Sequence, residues 1–179
     1  IISPPSKWVS EMIARIEPGG TLIDIACGRG RHSIEFSKNF FIYSVDKNNE
    51  FLNNLKSNMN IKTICQDLEN QQKWSFSDKK FNVVLVTNYL FREKLNAIFS
   101  LVDLNGYIIY ETFAIGNEKY GRPSNPNYLL KKNELLLFKP DNFDTIEFFE
   151  GLKIENSKKS IVQRPVSYTH LTLPTIVRV

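Results

Sequence analysis

The sequence predicts an α/β domain built on a parallel sheet covered on both faces, and three observations carry that reading. Residues 21–33, TLIDIACGRGRHS, pass from a short apolar strand through a glycine turn into the start of a helix. Apolar runs at 41–45, 61–65, 81–87 and 107–113 alternate with stretches whose apolar residues recur at helical spacing. Asp46 closes the second strand, 22 residues after Asp24 closes on the first turn. Strands separated by crossovers rather than hairpins have to lie parallel.

Each element follows from the local pattern. Pro4 and Pro5 turn the chain ahead of a lead-in helix on which Trp8, Val9, Met12, Ile13 and Ile16 share one face, with Trp8 assigned to the core. Pro18, Gly19 and Gly20 stop that helix before Leu22, Ile23 and Ile25 form the first strand. A helix over 31–38 and a strand over 41–45 come next, then a helix over 51–59 with Leu52, Leu55 and Met59 inward and a strand over 61–65. Residues 67–80 carry no helical stripe, so that crossover is a loop pinned by Trp74 and Phe76. A fourth strand over 81–87 leads to a helix marked by Leu95, Ile98, Phe99 and Val102, a turn at Leu104, Asn105 and Gly106, and a fifth strand over 107–113. A polar loop over 114–127, a short helix over 133–138 and strands at 145–150 and 160–163 complete the chain.

Composition narrows the function. The chain has 179 residues, enough for one domain with a continuous core, and a formal net charge of +4. Its lysines are spread in pairs at 79–80, 131–132 and 158–159, so no phosphate-tracking stripe points to nucleic acid. The apolar runs are far shorter than the ~18 to 20 residues that span a bilayer, and no signal peptide opens the chain, so a cytoplasmic enzyme is expected. Cys27 and Cys65 are read as reduced thiols, and no metal site is expected. The expected domain covers 1–164 and is incomplete at its N-terminus, since the chain begins with Ile1. Residues 166–175, VSYTHLTLPT, resemble the in-frame translation of a transposon adapter used in sequencing libraries; 165–179 are therefore set aside as a non-native tail, His170 included.

The glycine turn is where a ligand would meet the backbone. Ala26, Gly28 and Gly30 place small residues against it, and the amides at the helix start offer donors to a nucleotide or nucleoside. Asp46 is positioned to take both ribose hydroxyls. A nicotinamide cofactor would want a third glycine where Ser33 stands, and Asp24 would repel a pyrophosphate yet welcome an ammonium or sulfonium. The expected cofactor is therefore S-adenosylmethionine. A methyl group at Ala26 is tolerated only if the backbone there keeps a negative φ.

DIACGRG resembles the first motif of the class I S-adenosylmethionine-dependent methyltransferases, VDKN their ribose-binding motif, and CQDLEN the segment that meets the adenine. The resemblance covers about residues 8–164 and is nearest to small TehB-like bacterial proteins of the tellurite-resistance type. It implies a Rossmann-like, doubly wound, mostly parallel sheet of seven strands with the last antiparallel. It also implies that Asp24, Ala26, Cys27, Gly28 and Gly30 surround the methionine part, Asp46 with Lys47 the ribose, Asp67 with Leu68 the adenine, and Thr87 with Asn88 the sulfonium.

Methyl transfer needs alignment and exclusion of water, and a general base only for a neutral nucleophile. Candidates for that chemistry are His32 on the helix after the turn, Asn88, Tyr89 and Arg92 after the fourth strand, Glu111 at the end of the fifth, and Tyr120 and Arg122 in the polar loop. That loop reads as a substrate lid able to hold an anion through Lys119 and Arg122. SNPNY at 124–128 superficially resembles the Asn-Pro-Pro-Tyr motif of amino-group methyltransferases but follows the wrong strand and lacks the second proline. The expected acceptor is a small molecule, a thiol or metalloid compound on the family resemblance. A silent cofactor-binding module and a nicotinamide-dependent oxidoreductase are the alternatives. The sequence leaves the acceptor, the oligomeric state and the need for a base open.

Overall fold

The computed structural model describes residues 2–170. Five strands, β1 (Thr21–Ile25), β2 (Phe41–Asp46), β3 (Ile61–Cys65), β4 (Phe81–Thr87) and β5 (Val102–Phe113), are parallel to one another. A hairpin of β6 (Phe143–Glu155) and β7 (Lys158–Thr169) completes one sheet in the order β3-β2-β1-β4-β5-β7-β6, with β7 antiparallel to both its neighbours. Successive residues of the central strands feed opposite faces. Leu22, Val83 and Leu85 pack with Val9, Met12, Ile13 and Phe36 on one side, while Ile23, Ile25, Val84 and Val86 pack with Trp74, Phe76, Leu95 and Ile98 on the other. Cover on both faces explains why β4 is continuously apolar from Val83 to Val86, Asn82 being its one exposed residue.

The helices are short: α1 (Lys7–Ile13), α2 (Arg31–Phe36), α3 (Asn49–Asn53), α4 (Leu95–Phe99) and α5 (Glu134–Phe138). Among the described residues no helix is long and apolar enough to cross a membrane. The 66–80 crossover has no helix; Trp74 and Phe76 are buried there, and the Trp74 indole donates to the Leu68 carbonyl at 3.2 Å.

Three elements differ from the sequence reading. α3 ends at Asn53, and Met59, expected inward, is 93% exposed. The Asn58 and Asn60 amides instead donate to the Ser37 hydroxyl and carbonyl, the competition with helix that asparagine offers. Val102 opens β5 rather than closing α4, and Asn105, at φ +64, puts the expected turn inside that strand. The hairpin is far longer than the two short strands predicted: Asn156 and Ser157 (φ +51 and +64) make a two-residue left-handed turn from which the arms pair without interruption back to Glu147 and Val166. Residues 165–169, set aside above, lie within β7: Val166 pairs with Ile109 and Glu147 and is buried. His170 Nε2 lies 2.7 Å from Asp144. A valine, serine, tyrosine and threonine run has strand propensity whatever its origin. Residues 171–179 lie outside the described residues.

Close packing of the glycine turn against Leu55, just past α3, generates a prediction. Gly30 is left-handed at φ +84, and a Cβ there would stand 2.6 Å from a Leu55 methyl. Gly30→Ala is expected to lower stability by about 2 to 3 kcal/mol, read as a reduced urea midpoint with an unchanged m-value.

Candidate functional site

The site is built where β1 gives way to α2. Past Ile25 the backbone turns left-handed at Ala26 (φ +54), Gly28 (+58) and Gly30 (+84). Cys27 N reaches back to the Val45 carbonyl at 2.9 Å, and Gly30 N closes on the Cys27 carbonyl at 3.0 Å. These two bonds force the turn, so the negative φ expected at Ala26 is not found; an alanine in this region costs roughly 1 kcal/mol. Asp46, at the tip of β2, accepts from Gly28 N through Oδ2 and from Asn48 N through Oδ1, both at 2.9 Å. Charge-assisted bonds to two backbone amides pin the turn to the neighbouring strand.

Two cavities open at this carboxyl edge of the sheet. The smaller, about 310 Å³, is lined by Asp46, Lys47, Gln66, Asp67, Leu68, Glu69, Tyr89, Leu90 and Tyr128. The larger, about 1110 Å³, has a floor of Cys27, Gly28, Arg29, Arg31 and Thr87. Its walls are Ile2 to Pro4, the loop after β5 through Asn117, Tyr120, Gly121 and Arg122, and the hairpin tip from Lys153 to Ser160. Ala26 and Asn88 line both, so the cavities meet over the glycine turn. A Cβ at Gly28 would meet nothing within 4 Å. The turn thus presents bare backbone to open space.

Most of the residues expected around a cofactor lie on these walls: Ala26, Cys27, Gly28, Thr87 and Asn88 on the larger, and Asp46, Lys47, Asp67 and Leu68 on the smaller. Two do not. Gly30 faces Leu55 and serves packing. Asp24 is 1% exposed behind the turn, its Oδ2 accepting from the Ser33 hydroxyl at 2.7 Å, with Ser44 Oγ 2.6 Å from the same hydroxyl. Asp24 Oδ1 is buried with no partner. Burial pushes this carboxyl up to about 7, against the opposing pull of the Ser33 hydroxyl and the Arg31 charge. Asp24 therefore supports the turn from below, and its charge is not presented to either cavity. Burial, with the charges of Asp24 and Asp46, also raises the Cys27 thiol far above its ordinary range, which keeps it protonated.

The catalytic candidates divide more sharply. His32 is 2% exposed; its Nε2 accepts from Ser6 N at 3.0 Å, and burial together with the Arg31 and Lys153 charges pushes its pKa down to about 3. It is a neutral strut between α2 and the start of α1, away from both cavities. Glu111 is fully buried with Lys153 on Oε1 (3.1 Å) and Arg164 on Oε2 (2.5 Å), and it lines neither cavity, so it locks the hairpin to β5 rather than meeting a substrate. Arg92 is bound by Glu134 (2.8 and 3.0 Å) and by the carbonyls of Asn127 and Leu129, outside the cavities. Asn88, Tyr89, Tyr120 and Arg122 do face cavity space. The Tyr89 hydroxyl is buried without a partner, and burial raises its pKa well above the usual phenol value.

The sequence reading missed the hairpin tip. Lys153, Lys158 and Lys159 come to the larger cavity from strands that were predicted too short, and the 155–158 stretch around the two-residue turn was the signal that placed them. Asn117, in the polar loop, is 1% exposed and ties the lid down, donating to the Pro123 carbonyl and accepting from Ile161 N, both at 3.0 Å. Lys119 is not part of the wall.

Residues 22–103 match a family model described as a methyltransferase domain. The matched stretch runs from β1 to the beginning of β5, so it includes the glycine turn and Asp46 and leaves out the lid and the hairpin. No curated protein matches the sequence. Among solved structures, TehB from Haemophilus influenzae aligns with a TM-score of 0.70 and 21% identity over 92% of this chain and 62% of its own. Magnesium protoporphyrin IX methyltransferase from Synechocystis PCC 6803, solved with bound SAH, gives 0.66 and 17% over 90% and 80%. A SAM-dependent methyltransferase from Methanosarcina mazei gives 0.67 and 15% over 95% and 100%. At these identities the likeness is one of fold, and this chain spans about 62% of the length of the TehB structure.

The buried carboxyl under the glycine turn sets a pH dependence. Since the folded-state pKa of Asp24 lies above its ordinary 3.8, its contribution to stability is complete below pH ~4 and is lost as the pH rises to ~7. Asp24→Asn, which removes the titration, is expected to be more stable than the wild type at pH 8 by up to about 4 kcal/mol, with the difference shrinking toward pH 4 in paired urea titrations.

Proposed function

We propose that this chain is an S-adenosylmethionine-dependent methyltransferase that holds the nucleoside of its cofactor in the smaller cavity and a small anionic acceptor in the larger. The observation that carries the reading is the junction of the two cavities over a bare, left-handed backbone turn, within the stretch that matches a methyltransferase-domain model. The residues present fit the cofactor. Each oxygen of Asp46 keeps a lone pair beyond its bond to a backbone amide, enough to accept from two ribose hydroxyls. Gly28 leaves open the space a side chain would fill.

When bound, the cofactor supplies an electrophilic methyl on a sulfonium. The chain's part is alignment and exclusion of water. Ala26 and Asn88 mark the passage between the cavities, and Tyr120 and Arg122 stand over the acceptor side. The wall of the larger cavity carries Arg29, Arg31, Arg122, Lys153, Lys158 and Lys159 against the carboxylate of Glu155, which is itself paired with Lys153 at 2.9 Å. Such a field draws in anions and disfavours ammonium acceptors. Among the described lining residues no histidine or unpaired carboxylate is available as a base. The acceptor class consistent with both facts is a nucleophile already anionic near neutral pH, a thiolate or a metalloid oxyanion.

Titration calorimetry with S-adenosylmethionine and S-adenosylhomocysteine tests the reading. Binding of both is expected, and Asp46→Ala should raise each Kd at least about tenfold while the circular dichroism is unchanged, as loss of charge-assisted bonds requires. Labelled methyl should then pass to anionic thiols or metalloids in preference to amines. A well-folded protein that binds neither ligand would end the proposal.

A further inference from the structure

We propose that Tyr128, in the SNPNY segment, closes over the nucleobase in the smaller cavity, and that the Arg92–Glu134 pair is the device that positions it. The inference rests on the proposed function, because it needs a nucleoside in that cavity.

Tyr128 is 53% exposed, yet it lines the smaller cavity together with Leu68, Tyr89 and Leu90. An aromatic ring left open to solvent gains nothing for the fold, and here its backbone is held with unusual care. It ends the short turn Pro126–Tyr128, which the Asn125 side chain caps by accepting from Asn127 N at 2.9 Å. Arg92 donates to the carbonyls on either side of Tyr128, Asn127 at 3.0 Å and Leu129 at 2.8 Å. The guanidinium is fixed in turn by the two oxygens of Glu134. Beyond it, Leu129 and Leu130 are buried, and Leu130 N donates to the Phe113 carbonyl at 3.0 Å. The frame is rigid and the ring it carries is free.

The rest of the cavity suits a flat heteroaromatic ring. Leu68 and Leu90 supply an apolar side, and Gln66, Asp67 and Glu69 line the same space as polar partners for the edge of a base. The loop that carries Tyr128 also gives Asn117, Tyr120 and Arg122 to the larger cavity, so one segment touches both ligands. Arg92, a catalytic candidate by sequence, acts here through Tyr128 and touches no ligand.

Calorimetry with S-adenosylhomocysteine and with adenosine alone decides the matter. Tyr128→Ala is expected to weaken both ligands by a similar factor, about tenfold or more for loss of a stacking ring, and Tyr128→Phe to bind like the wild type. Arg92→Gln should weaken both ligands when Tyr128 is present and have little further effect in the Tyr128→Ala background, a non-additivity that general destabilisation would not produce. Quenching of Trp74, which bonds to the Leu68 carbonyl behind the cavity, gives an independent binding signal. Wild-type binding with an unchanged Tyr128→Ala, or a loss confined to S-adenosylhomocysteine while adenosine is unaffected, overturns this proposal and leaves the function standing. Wild-type protein that binds neither ligand overturns both.

Discussion

The carboxylate of Asp46 holds two backbone amides, one from the turn after β1 and one from the turn after β2, and the architecture of the site depends on that grip. Three left-handed residues within five positions make a poor turn when taken alone. Anchored through Gly28, closed by the Cys27–Val45 bond and supported from below by the Ser44–Ser33–Asp24 chain, the same turn becomes a fixed strip of bare backbone. Every other part of the site is arranged around this strip. Strands β1 and β4 deliver it and Asn88 to the sheet edge, and the later loops can only wall off the space on either side.

Charge is divided between those two sides. Asp46, Asp67 and Glu69 belong to the smaller cavity, while the larger collects arginines and lysines from the turn, the lid and the hairpin. A ligand spanning the junction is therefore oriented by the field before any close contact forms. The buried Glu111 ion pairs have a structural part in this division. By fixing Lys153 and Arg164 they hold the arms of the hairpin against β5, so that Lys158 and Lys159 stand at the cavity wall.

What the sequence made legible was local. The strand, glycine turn and helix at 21–36, the acid at the end of β2 and the helix-free crossover with its two aromatic pins each depend on residues close together in the chain, and pattern arguments reach that far. The misreadings share a cause: their partners are remote. His32 stood among the catalytic candidates because nothing nearby in sequence reveals that Ser6 N donates to its ring nitrogen, and Glu111 because Arg164 lies 53 residues away. Asp24 was expected beside the methionine part of the cofactor, and its isolation behind the turn is a matter of packing that local pattern does not reveal. The hairpin was under-predicted because its edge strand mixes charged and apolar residues without clean alternation and passes through a register shift near Ile146.

The place of β7 in the sheet has a consequence for how the chain comes together. It is the last strand among the described residues, yet it lies inside the sheet, between β5 and β6. During synthesis the outer edge of β5 stays unpaired, with its amides and carbonyls open to any passing strand, until the final arm of the hairpin has left the ribosome and slid into the gap. The first five strands can zip up in the order they emerge; the sixth has to wait for the seventh before it can join them.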